Sequence, residues 1–184
     1  TLIDSDIKLN SLKLPKLNKL FIHSRAAGRH GADPQVLILG IEKDCFTLNL
    51  TKLSPKKVQK TVTSNLSPVT SLIGYDIKSD LKVLKSLGIE AKNVGHDVLV
   101  GAFLLNSLVR AQSLTDLAET NLGYGGLPFE DLPTEDFIER STEFIAVIKG
   151  IYETQARELI EMPKLTKLAQ DIEWPLTTVL ADME

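Results

Sequence analysis

Asp76, Asp80 and Asp97 are the acids whose positions could serve chemistry, because each stands close to the start of an expected helix. A carboxylate there can ligate a hard cation such as Mg²⁺, which takes oxygen donors, or it can cap the helix and face its dipole. Both readings are open for all three. His23, His30, His96 and the lone Cys45 show none of the spacings of a zinc site, and Cys45 reads as a small core residue. The sequence has no G-x-S-x-G, P-loop or G-x-G-x-x-G. Gly123, Gly125 and Gly126 follow a helix and do not join a strand to one, as a phosphate cradle requires. Lys52, Lys56, Lys57 and Lys60 form the densest basic cluster, in a chain whose residues 1–92 are net +7 and residues 93–184 net −10. Such a cluster is either a nucleic-acid face or a solvated helix surface. No aromatic residues interleave these lysines to offer the stacking that single strands use.

The elements that must position these residues follow from periodicity and punctuation. The chain has 184 residues and 43% hydrophobic content, enough for one main core. Residues 1–18, interrupted by Pro15, read as an entering segment or linker. KLFIHS (19–24) reads as a strand, followed by a loop rich in Gly, Ala and Pro. VLILGI (36–41) and CFTLNL (45–50) form a hairpin that turns at residues 42–44. Ser54 and Pro55 supply the N-cap and first position of a helix to about Asn65. SLIG (71–74) is a short strand. Asp76 then caps a helix with Ile77, Leu81, Leu84 and Leu87 on one face, stopped by Gly88. Asp97 opens an apolar helix, and Ser113 with Asp116 resembles a capping box for residues 114–122. After a loop over 123–133, Thr134 caps a long helix that Pro163 ends or kinks. This order predicts a mixed α/β sheet. One cysteine excludes an internal disulfide framework and fits a reducing, cytoplasmic setting. No apolar run reaches the roughly 20 residues of a membrane span, and the first ten residues lack a signal-peptide layout. No membrane partner is expected.

Gly74-Tyr75-Asp76-Ile77-Lys78-Ser79-Asp80 resembles the second exonuclease motif of bacterial family A DNA polymerases, the DNA polymerase I type. Residues 88–106 are similar to the next family segment, in which an Asp opens a leucine-rich helix. Leu114, Leu117, Ala118, Leu122 and Gly123 resemble the helix that follows. Ile172-Glu173-Trp174-Pro175-Leu176, with Val179, Leu180, Met183 and Glu184, looks like the segment that begins the polymerase domain. The resemblance covers residues 19–184 and implies a ribonuclease H-like mixed sheet flanked by helices, the DnaQ-like 3′–5′ exonuclease fold. It also implies an entering segment (1–18), an exonuclease-like domain (19–163) and the start of a polymerase domain (164–184). DNA is then reached through a parent polymerase whose adjoining domain lies in cis.

Working members of that family bind two divalent metals through four carboxylates, and the metals activate water and stabilise the leaving oxygen. Two of the acids form an Asp-x-Glu on the first strand. Here His23-Ser24-Arg25 stands in their place, and the strand period aims His23 and Arg25 at one face. No Asp-x-Glu occurs between Leu9 and Thr70. Asp80 matches the acid of the second motif, while Phe137 and Ser141 match the Tyr and Asp of the last. Exchanging two carboxylates for an imidazole and a guanidinium moves the local charge by about three units, and one unit pair at 4 Å is worth about 4 kcal/mol at an effective dielectric of 20. The resemblance thus implies a degenerate, inactive proofreading domain whose vestigial positions are His23, Arg25, Asp80, Phe137 and Ser141. Arg25 is expected to replace the cations and pair with Asp80 or Asp97. No cofactor is expected. Mg²⁺ held by Asp80 and Asp97 belongs to the alternative of a weak, metal-dependent 3′–5′ exonuclease. A further alternative is a module that holds single-stranded DNA on the lysines at 52–60 without cutting it.

Overall fold

The computed structural model describes residues 1–15, 18–66, 70–108 and 112–184. A six-stranded sheet runs through its centre in the order β1-β4-β3-β2-β5-β6. The strands are β1 (Leu2–Ile3), β2 (Lys19–Ala26), β3 (Pro34–Gly40), β4 (Cys45–Asn49), β5 (Ser71–Gly74) and β6 (Val94–Asp97). β2, β3 and β4 are antiparallel neighbours, whereas β5 runs parallel to β2, β6 parallel to β5 and β1 parallel to β4. The mixed sheet expected from the strand order is present.

β3 lies among its neighbours with helices on both faces, so Val36, Leu37, Ile38 and Leu39 are all fully buried and the strand reads as an unbroken apolar run. Adjacent strand residues point to opposite faces, and the core divides accordingly. Leu20, Ile22, Leu37 and Leu39 join the helices α2 (Pro55–Asn65) and α3 (Ile77–Ser86) on one side. Phe21, Val36, Ile38 and Ile73 join α5 (Leu114–Leu122) and α7 (Ser141–Ile160) on the other. α4 (Val98–Leu105) follows β6 directly, with Asp97 as its N-cap. The capping box of Ser113 and Asp116 is formed at α5.

Several elements differ from the sequence expectation. β6 is additional: VGHD has no apolar alternation, and its pairing comes from the parallel neighbour β5. The segment 1–18 contains β1 and α1 (Asp6–Asn10), and Ile3, Leu9 and Leu12 are buried in the core; residues 16 and 17 lie outside the described residues. The long helix is divided into α6 (Thr134–Glu139) and α7 at Arg140. Pro133, not Thr134, holds the N-cap position, because the Thr134 hydroxyl donates to Gln35 Oε1 at 2.8 Å. α7 stops at Ile160, and Pro163 opens α8 (Pro163–Leu168) at a position where its missing N–H costs nothing. A π turn over Ala169–Glu173 then leads into α9 (Trp174–Met183). Trp174, Thr177 and Ala181 are its buried positions, and it packs against α3 and β6.

The loop after β2 is pressed onto α3. Gly31 has φ +76° there, and a Cβ at that position would stand 2.5 Å from the Lys82 carbonyl carbon. Among the described residues no helix is long and apolar enough to cross a membrane.

Candidate functional site

β2 and β5 end side by side, with Ile22 paired to Gly74, so the residues just beyond meet the first turn of α3. Asp80 projects inward from that turn and is 1% exposed. Ser24 Oγ donates to its Oδ1 at 2.6 Å. The other oxygen, Oδ2, is buried without a hydrogen-bond partner, as is His23 Nδ1, which lies 3.9 Å from Oδ1. Burial is the main force raising the Asp80 carboxyl well above the usual range; Asp76 and Asp97 push the same way, and the Ser24 hydrogen bond opposes them. Burial also pulls the His23 imidazole down to about 4, against the attraction of Asp76. Both groups are driven toward their uncharged forms.

Aromatic rings close the rest of the space. Phe144 and Phe137 stand 5.0 and 5.5 Å from the His23 ring and 4.5 Å from each other, while Tyr75 meets the imidazole edge-on at 6.2 Å. The structure therefore gathers His23, Asp80 and Phe137, with Ser24 and Phe144 as members that sequence reasoning missed. Ser24 was readable, since strand alternation turns it away from His23 toward the face that α3 covers. Phe144 was not, because the break at Arg140 resets the helical phase between it and Phe137.

Arg25 does not take the place foreseen for it. Its Nη1 donates to the Leu132 carbonyl, and its guanidinium lies 5.7 Å from the Phe137 ring centre. Among the described residues it forms no ion pair with Asp80 or Asp97. The strand register shifts between Arg25 and Ala26, and a loop carbonyl and a ring face satisfy the cation at the rim.

The other candidates have structural partners. Asp97 Oδ2 accepts from Ile77 N at 2.8 Å, and Oδ1 accepts from Asp76 N at 3.2 Å and Leu99 N at 3.0 Å. One carboxylate thus ties together the starts of α3 and α4. Burial raises it to about 6, with Asp76 adding and the backbone amides opposing. Asp76 occupies the N-cap position of α3 at φ 50°, but its carboxylate accepts from Ser79 Oγ at 2.6 Å and bonds no helix amide. Ser141 is buried and accepts from Thr47 Oγ1 at 2.6 Å, on the β4 side of the sheet. Lys57 pairs with Asp6 at 2.8 Å, and Lys52, Lys56 and Lys60 are exposed.

This donor set does not fit a pair of divalent cations. Two hard ions need several anionic oxygens. The space holds one buried carboxyl with an unpartnered oxygen, an imidazole and phenylalanine rings. Among the described residues no three His, Cys, Asp or Glu side chains are grouped to hold a metal.

The same sheet and helices occur in solved nucleases. Brucella melitensis NrnC bound to pGG superposes with TM-score 0.73 at 12% identity, over 93% of this chain and 89% of that one. Escherichia coli RNase D gives 0.71 at 14% identity, over 98% and 50%. The fold is that of the ribonuclease H-like 3′–5′ exonucleases. The POL domain of Pol1 from M. smegmatis, complexed with DNA primer-template and dNTP, gives 0.72 at 18% identity, over 100% of this chain and 30% of that one. Polymerase and ribonuclease structures therefore share the likeness. No family model matches the sequence. Among curated proteins it is 29% identical over 119 residues to the mitochondrial arginine-specific carbamoyl phosphate synthase large chain of Schizosaccharomyces pombe, and 25% over 127 residues to DNA polymerase I of Pseudomonas aeruginosa. The matches span only 10% and 14% of those two proteins. Their names imply unrelated activities, so neither selects one for this chain.

Proposed function

We propose that this chain is a 3′–5′ exonuclease-like domain that has lost hydrolysis and serves as a structural part of a bacterial DNA polymerase. The observation that carries the reading is the setting of Asp80. The acid that matches a metal ligand in the sequence resemblance is buried, biased toward its neutral form and faced by an imidazole that two phenylalanines pack against. Water attack on a phosphodiester needs stabilisation of developing negative charge, and the groups gathered here offer little of it.

The polymerase part of the reading rests on the order of the sequence motifs and on α9. Ile172 in the π turn and Leu176, Val179, Leu180 and Met183 on α9 are all exposed. An apolar row of this kind marks a surface that meets another body. In this reading residues 164–184 begin a polymerase domain that adjoins in cis, performs the synthesis and brings DNA to the chain in the cytoplasm; residues 19–163 are the exonuclease-like domain and residues 1–18 its entering segment.

Incubation with end-labelled single-stranded DNA and Mg²⁺ or Mn²⁺ tests the loss of hydrolysis. The label is expected to stay at full length. Shortening that stops with EDTA and with Asp80→Ala would overturn the reading.

A further inference from the structure

A cavity of about 900 Å³ opens beside the start of β2, at the end of that strand remote from Asp80. Clefts of about 300–1,000 Å³ are the size that holds small molecules. Phe21 from β2, Ile41 from the turn after β3 and Tyr152 from α7 supply its apolar lining. Around them stand three lysines, Lys19, Lys43 and Lys149, and three acids, Glu42, Asp44 and Glu153. Lys19 begins β2, so the strand separates it from His23 by about 13 Å.

Two of the ammonium groups are held by neutral oxygens. Lys19 Nζ donates to the Tyr152 hydroxyl at 2.6 Å and lies 5.1 Å from the centre of that ring. Tyr152 is itself set by edge-on contacts with Phe21 at 5.9 Å and His96 at 5.1 Å. Lys149 Nζ donates to the Glu42 carbonyl at 3.4 Å. Among the described residues none of the six charged side chains forms an ion pair. An ammonium group has three N–H donors, so Lys19 and Lys149 each keep two for a ligand, together with the full charge. The carboxylates lining the same cleft repel a bare anion, yet they accept from any hydroxyl or amino group that an anion carries. Both signs of charge on an apolar floor therefore favour a larger molecule that brings a phosphate and hydrogen-bond donors together.

We propose that this cleft binds a small phosphate ester of about nucleotide size, with its phosphate on Lys19 and Lys149 and its hydroxyl or amino groups on Glu42, Asp44 and Glu153. Lysine suits a phosphate as a point charge. The cleft is separate from Asp80, so a positive nuclease assay would leave this site untouched.

Isothermal titration calorimetry of the whole chain with AMP, adenosine and inorganic phosphate at low salt tests the site. AMP is expected to saturate at millimolar concentration or below, with adenosine and inorganic phosphate each at least about tenfold weaker. Lys19→Ala and Lys149→Ala should each weaken AMP binding about tenfold, the loss of one charge-assisted contact. Lys164→Ala, at an exposed position on α8, removes the same charge elsewhere and should leave AMP binding as it is. Lys19 is exposed, so its alanine variant keeps the test valid if Lys149→Ala does not fold. The proposal fails if AMP shows no saturation at millimolar concentration, or if Lys19→Ala binds it as tightly as the unaltered chain. Adenosine binding as well as AMP would remove the phosphate from the assignment, and inorganic phosphate binding as well as AMP would remove the acids; either result overturns it.

Discussion

Asp80 is a titratable group kept where its charge is unwelcome, and its cost should appear in the pH dependence of stability. Burial raises its folded pKa, so the folded chain keeps a proton that the unfolded chain releases near 3.8. Its contribution is full below that value and is lost as pH rises through the folded pKa. Asp97 acts in the same direction between 3.8 and about 6. His23 acts in the opposite one: held at about 4, it refuses a proton that the unfolded chain accepts below 6.5, so stability falls as pH drops from 6.5 toward 4. Asp80→Asn keeps an acceptor for Ser24 and removes the titration. Thermal melts should show the variant more stable than the unaltered chain at neutral pH, with the gap closing below pH 4. A variant less stable at neutral pH would mean that Asp80 is ionised and useful there. The resemblance put His23 and Asp80 at one site, but the partner expected for Asp80 was Arg25, and the imidazole lies 3.9 Å from it instead. Arg25 was misjudged for a physical reason: its acceptor, the Leu132 carbonyl, lies 107 residues away on an irregular loop, and no local pattern announces such a partner.

At the scale of elements, local chemistry was readable wherever it was self-contained. The hairpin of β3 and β4, the Ser54-Pro55 helix start and the Ser113–Asp116 capping box each depend on neighbours a few residues apart, and each formed. β1 and β6 depend on distant strands for their hydrogen bonds, and their sequences carried no signal. The break between α6 and α7 belongs to this second kind. Arg140 leaves the helical path and donates to the Leu127 and Pro128 carbonyls, the Tyr124 hydroxyl and Glu143, while its guanidinium lies 4.6 Å from the Phe129 ring centre. One side chain thereby fixes the loop over 123–133 and sets the phase that turns Phe144 toward His23. Arg140→Ala leaves those carbonyls without this donor and should cost about 1–3 kcal/mol. Limited proteolysis should then cut the 123–133 loop sooner than in the unaltered chain. Unchanged cleavage would place the cause of the break elsewhere.

Across the whole molecule, the sheet separates a core made by α2, α3 and α9 from one made by α5 and α7, and the candidate site lies where β2 and β5 pass between them. In a working hydrolase that position concentrates like charges, which cost stability and are retained for function. Phe137 and Phe144 lie here and join the core of α5 and α7. The consequence can be measured by emptying the space. If the position were still a strained active site, removing a bulky side chain would be nearly neutral or would relieve the molecule. If it is core, Phe144→Ala leaves a cavity beside His23 and should lower unfolding stability by about 3–5 kcal/mol, with a matching fall in the denaturant midpoint and no change in the slope. Phe144→Leu retains most of the apolar volume and should recover the larger part of that loss. A small effect of the alanine variant would mean that these rings cover the site without being part of the core.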